Sequence, residues 1–112
     1  MTEGDLQRLF VPLVAQLITW AYAQGYQLTF GEAWRTPEQA AWNAAHGTGI
    51  LHTLHLERLA VDFNLFKDGV WLTDPDDFRP LGEFWTSLHP DACWGGEFGD
   101  PGHFSLAFGG RK

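Results

Sequence analysis

A single cysteine, Cys93, stands among 112 residues, so no intramolecular disulfide can staple the chain. Reinforcement beyond the packing of its own core would have to come from a bound metal. Positive charge is also scarce: 7 Lys and Arg face 14 Asp and Glu, a formal net charge of -7. Such a surface excludes a nucleic-acid partner and a purely electrostatic hold on an anionic polymer. No apolar run approaches the length of a membrane span. The stretch Met1-Thr2-Glu3-Gly4-Asp5 has neither a basic segment nor an uninterrupted apolar core. Synthesis in the cytoplasm without a signal peptide is therefore expected. What the chain does have is apolar mass, 45% hydrophobic residues with 6 tryptophans. That is the composition of one packed domain over 1–112, and no repeat, linker or low-complexity tract divides it.

Leu6, Leu9, Phe10, Leu13, Val14, Leu17 and Ile18 recur at helical spacing, with Gly25 as a stop. Pro12 inside the pattern predicts a kink or a helix that begins near it. Residues 27–30 read as a short strand. Thr36, Pro37 and Gln39 then form the signature of a capping box, opening a helix that ends at His46-Gly47. The glycine-containing stretch 48–54 reads as a loop lining a site. Val61, Phe63 and Leu65 alternate with Asp62, Asn64 and Phe66, and Asp68-Gly69 folds this run back as a hairpin. A polar turn at Thr73-Asp74-Pro75-Asp76-Asp77 opens a short helical piece. Its face is Leu81, Phe84, Trp85 and Leu88, and His89-Pro90 stops it. A glycine-rich loop after Cys93 feeds a last strand, its glycines leaving room for a substrate backbone to come close. The fold expected is α+β: a small, mainly antiparallel sheet, with the N-terminal helix and the Thr36-capped helix against one face.

Two short stretches carry the chemistry. His55-Leu56-Glu57-Arg58-Leu59-Ala60-Val61-Asp62 and Asp100-Pro101-Gly102-His103 together supply two imidazoles and two carboxylates. A zinc enzyme needs three nitrogen or oxygen ligands, an open position for water and a nearby carboxylate to move that water's proton. His55, Asp62 and His103 are the candidate ligands and Asp100 the candidate base, with Glu97 competing for the base role. The spacing from His55 to Asp62 is odd, so an unbroken strand would point them to opposite faces; the chain must turn or bulge between them. Asp62 lies in an apolar strand, where a carboxylate calls for a cation. His46, His52 and His89 lack partners at ligand spacing and read as solvated or hydrogen-bonded. Cys93, next to Trp94, reads as a buried core thiol. Histidine and carboxylate donors suit several divalent ions.

Thr53-x-His55-x6-Asp62, followed by Trp94-Gly95-Gly96, Asp100-x-x-His103 and Phe104, resembles the M15 family of zinc peptidases. That family includes D-alanyl-D-alanine carboxypeptidases and dipeptidases, and the L-alanyl-D-glutamate endopeptidases used by phages as endolysins. The match runs from about Gly25 to Phe104, and the short chain is most similar to the endolysin-like branch. The resemblance implies a Hedgehog/DD-peptidase-like fold, Zn2+ as cofactor and a peptidoglycan stem peptide as substrate. The bond it implies is L-alanyl-D-glutamate, cut in phage or prophage lysis or in cell-wall turnover. It also implies that Arg35 binds substrate and steadies the developing oxyanion, and that Thr53 contacts substrate or orients its loop. One departure is Arg58, where the family usually has a small residue, often glycine. The alternatives are a D-Ala-D-Ala carboxypeptidase or dipeptidase and, from another class, a zinc-stabilised wall-binding or virion module without catalysis. Asp100 and Arg35 together favour the enzyme. A monomer is expected, reaching the wall after release or export by another factor.

Overall fold

The computed structural model describes residues 1–47 and 54–112. Helix α1 (Glu3–Ala23) opens with a reciprocal cap: Asp5 N donates to Thr2 Oγ1 at 3.1 Å and Thr2 N donates to the Asp5 carboxylate at 2.9 Å. It runs through Pro12 instead of starting there. Pro12 sits on the exposed side, where the carbonyl that loses its donor can turn to water. Leu6, Phe10, Leu13, Leu17 and Ala21 form the buried stripe.

Among the described residues, five antiparallel strands follow the chain as β1 (Tyr26–Phe30), β2 (Ala60–Lys67), β3 (Val70–Leu72), β4 (Ala92–Trp94) and β5 (His103–Leu106). Their order is β1-β2-β5-β4, with β3 also on β2. Strand β2 is the hub. It pairs with β1 from Phe63 to Lys67 on one side, and on the other with β5 at Ala60, Val61 and Asp62 and with β3 at Leu65, Phe66 and Lys67. The β2–β3 turn is Asp68-Gly69 with both φ values positive, 52° and 77°, the conformation that two-residue hairpins demand.

Val61, Phe63 and Leu65 point into the core, where Trp85 and Phe104 are fully buried. Helices α1 and α3 (Pro75–Leu88) cover that face, locked to each other by an edge-on Phe10–Trp85 contact and a Trp20–Phe84 stack. The Trp85 indole N–H donates to the carbonyls of Cys93 and Ser105, both at 3.1 Å, tying α3 to β4 and β5. The partner of α1 on the sheet is therefore α3, not the Thr36-capped helix. That helix, α2 (Pro37–Ala45), buries only Ala40, because its alanine-rich sequence has no apolar stripe to offer. Its Thr36 cap forms, accepting from Gln39 N at 3.0 Å, while the Gln39 side chain turns to Asn43. Helix α3 begins at the polar turn itself, capped by Asp74, and continues through the exposed Pro80. Cys93 is not a core thiol: it alternates outward between buried Ala92 and Trp94 on edge strand β4 and is only partly buried.

Candidate metal centre

The turn that carries His55 answers the odd spacing. Glu57 N donates to Leu54 O at 3.1 Å, and Leu59 N closes a wider loop onto the same carbonyl at 3.1 Å. Arg58 between them has a φ of 56°, so residues 54–59 make one helical turn ended by a left-handed residue. Buried Leu54 and Leu59 anchor its ends. His55 is thereby swung onto the face of β2 that holds Asp62.

Asp62 is fixed by its backbone, which donates to Glu32 O at 2.7 Å and accepts from Gly31 N at 2.8 Å. Across the sheet its direct partner is His103, so both side chains leave the same face. His55 Nε2 lies 3.5 Å from Asp62 Oδ2, and His103 Nδ1 lies 3.5 Å from Asp62 Oδ1. Those distances are long for hydrogen bonds. They match the separation of about 3.4 Å between donors on a tetrahedral zinc with bonds of about 2.1 Å. One donor atom from each of the three residues lies within 4.8 Å of the others. Asp62 Oδ1 is buried without a hydrogen-bond partner among the described residues, an arrangement that a cation would satisfy.

The outer contacts orient these donors. His55 Nδ1 faces Ala33 O at 3.3 Å and Glu32 Oε1 at 3.6 Å, which leaves Nε2 to point inward. His103 Nε2 faces Lys112 O at 3.0 Å, an oxygen that also accepts from Ser105 Oγ, so its Nδ1 points inward. Burial raises the Asp62 carboxyl, but the His103 and His55 imidazoles outweigh it and bring the pKa to about 2. Burial lowers His55, yet Asp62, Ala33 O and Glu32 carry its pKa above the usual histidine value. The residues present fit a divalent cation bound by two nitrogens and a carboxylate.

Asp100 sits on the rim, with Oδ2 3.9 Å from His103 Nδ1 and its side chain open to solvent. Partial burial and the Asp62 charge raise its pKa. The turn from Asp100 to His103 is held from behind. Asp100 N donates to Gly95 O at 2.8 Å, and the Trp94 indole donates to Pro101 O at 2.7 Å. A Cβ on Gly82 or Gly96 would run into the Trp94 ring, and one on Gly95 into the Asp100 carbonyl. These glycines serve the protein's own packing and do not hold space for a substrate. Arg35 is nearly buried and donates from Nε to Glu32 Oε1 at 2.6 Å, while its charge is felt at Asp100. Glu32 thus joins Arg35 to His55. A cleft of about 360 Å³ opens beside the cluster, lined in part by Asp62, Asn64, Trp71, Phe78, Asp100 and Gly102.

Of the candidates, His55, Asp62, His103, Asp100 and Arg35 come together here. Thr53 and His52 lie outside the described residues. Glu97 is exposed, with its charge felt at the Cys93 thiol. His46 stacks on Trp42, and His89 Nδ1 accepts from Asp91 N at 3.0 Å; neither approaches the cluster. Ala33 O, Ser105 and Lys112 O are orienting groups that sequence reasoning misses, and Glu32 is foreseeable there as a pairing partner of Arg35 but not as a neighbour of His55. Only Glu32 had a signal, its position three residues before Arg35.

No family model matches the chain, and no curated protein matches it. Among solved structures it is similar to the L-Ala D-Glu endopeptidase ChiX of Serratia marcescens, with a TM-score of 0.70 at 22% identity over 95% of this chain and 86% of that one. It is also similar to the vancomycin-resistance D,D-pentapeptidase VanY in complex with Zn(II), with a TM-score of 0.58 at 20% identity over 87% of this chain and 70% of that one. The fold is that of these two peptidases. In this chain the sheet of that fold and the turn leading into β2 carry a His-Asp-His cluster, its histidines buried and its aspartate half-buried, with the acidic rim residue Asp100 and the arginine Arg35 beside it.

Proposed function

We propose that this chain is a zinc-dependent peptidase of the M15 kind that cuts peptidoglycan stem peptides, at the L-alanyl-D-glutamate bond. The observation that carries the reading is Asp62, placed 3.5 Å from one nitrogen of each histidine with Oδ1 buried and unsatisfied among the described residues. The fuller likeness to the L-Ala D-Glu endopeptidase supports the choice of bond. Zinc held by His55 Nε2, Asp62 and His103 Nδ1 would polarise the scissile carbonyl and lower the pKa of water. Asp100, on the open side of the cluster, takes the proton of the attacking water and passes it to the leaving amine. Arg35, held through Nε by Glu32, donates from its terminal nitrogens to the developing oxyanion. In this reading the protein reaches the wall after release or export by another factor, as a phage, prophage or bacterial wall enzyme.

The likeness to a D,D-pentapeptidase favours one second reading, release of terminal D-alanine. Mass spectrometry of peptidoglycan fragments decides between them, with the protein untreated, chelated, and chelated with zinc restored. New L-alanine carboxyl and D-glutamate amino ends that vanish with chelator and return with zinc are the expected result. Free D-alanine would move the assignment to the second reading. No cleavage by folded, zinc-loaded protein on walls of several chemotypes would overturn both and leave a wall-binding module.

A further inference from the structure

The mechanism uses Asp62 and leaves the rest of that face of β2 without a role. By alternation Asn64 and Phe66 share the face with Asp62. By register Thr29 stands opposite Asn64, while Gln27 and Trp71 flank Phe66 from β1 and β3. Helices α1 and α3 both lie against the other face, and Trp71 is 63% exposed. Asn64 Nδ2 donates to Thr29 Oγ1 at 3.2 Å, which fixes the amide on this face and commits its nitrogen within the protein, so that the group's part toward a ligand is that of an acceptor. Asn64, Trp71 and Thr73 line the same cleft as Asp62 and Asp100, so this platform is continuous with the metal cluster.

An exposed indole flanked by amide and hydroxyl side chains is suited to a sugar ring. The C–H face of a pyranose lies on the π face, while its hydroxyl and acetamido groups exchange hydrogen bonds at the edge. An uncharged saccharide also meets no repulsion from a chain of net charge -7, whereas an anionic polymer would. In peptidoglycan the alanine end of the stem peptide is covalently joined to an N-acetylated sugar.

We propose that this face is a saccharide subsite, centred on Trp71 and Asn64, that seats the N-acetylated sugar while its attached peptide lies across the metal cluster. The inference rests on the peptidase reading above and deepens it: the preferred substrate is stem peptide still attached to glycan. The test compares kcat/KM on a disaccharide-linked stem peptide and on the same peptide freed of sugar. The zinc-loaded protein should prefer the linked form by about tenfold, the equivalent of one well-placed stacking contact. That ratio should fall to about one in Trp71→Ala and to an intermediate value in Trp71→Phe. Equal losses on both substrates would make the face a peptide subsite and overturn the proposal. An NMR titration with the N-acetylglucosaminyl-N-acetylmuramic acid disaccharide, its lactyl carboxyl capped as the amide so that the probe is uncharged as in the linked peptide, gives a readout free of catalysis. A shift of the Trp71 indole signal is expected, with Asn64→Ala weakening the binding; no binding overturns the subsite even where peptide is cut. Disaccharide binding without cleavage of either substrate would instead overturn the peptidase reading and leave the saccharide site standing.

Discussion

The Trp94 indole donates to the Pro101 carbonyl at 2.7 Å, through a ring that is lodged between Gly82 and Gly96. One side chain thus fixes the short turn that separates Asp100 from His103. Trp94→Phe keeps most of the packing and deletes the hydrogen bond. It should cost about 1–3 kcal/mol in urea unfolding and weaken zinc binding in the same variant. Unchanged zinc affinity would show that the turn holds its shape without the indole.

Arg58 occupies the left-handed region at φ 56° with its guanidinium 4.4 Å over the Trp34 ring. The conformation favours glycine, and the stacking partly offsets its cost. Arg58→Ala loses the stacking and keeps the strain, whereas Arg58→Gly loses the stacking and removes the strain. Glycine should therefore exceed alanine by about 1 kcal/mol in denaturant titrations. Equal stabilities for the two variants would mean that the turn relaxes to another conformation.

Asp100→Asn keeps the rim's shape and removes its base. Turnover should drop by about 10²–10⁴-fold while the zinc content of the purified protein stays at the wild-type level. Glu32→Gln loosens both Arg35 and His55 and should lower zinc affinity together with turnover, since outer contacts of metal ligands carry about 10–100-fold in affinity. Full activity in Asp100→Asn would transfer the base role elsewhere.

Protons and zinc compete for the same donors. In chelated protein the Asp62 contribution to stability is present above about pH 4 and is lost as the pH falls toward its folded pKa of about 2. His55 is raised above 6.5, so its contribution is complete below 6.5 and is lost as the pH climbs through the folded value. The chelated form should therefore be most stable between these edges. Zinc requires neutral imidazoles, so the Tm gained on adding it should grow from pH 6 to pH 8. A gain independent of pH would exclude ligation through His55.

Strand β2, its Asp68-Gly69 turn and the placing of Asp62 on the face opposite to Val61 and Phe63 are legible in the sequence because alternation and turn chemistry are local signals. The odd spacing of His55 and Asp62 likewise announces the intervening turn. Less legible is which helix joins α1 on the sheet. A strong cap at Thr36 marks where α2 begins but says nothing of where it packs, and only Phe78, Leu81 and Trp85 on α3 supply a stripe to bury. Strand β4, three residues long, is too short for a period, and Cys93 is misread with it. The groups that orient the histidines are hidden for another reason: Ala33 and Lys112 act through backbone carbonyls, which carry no residue identity.

The alternation along β2 has a consequence for how the protein ages. Val61, Phe63 and Leu65 hold the core, and Asp62 between them meets His103 only in the native register. A shift by a single residue would present the carboxylate to oil and the valine to water at once. Parity therefore leaves the chain no comfortable shifted form in which β2 stays paired and Asp62 still meets His103. Loss of that pair and loss of the sheet should keep the same clock.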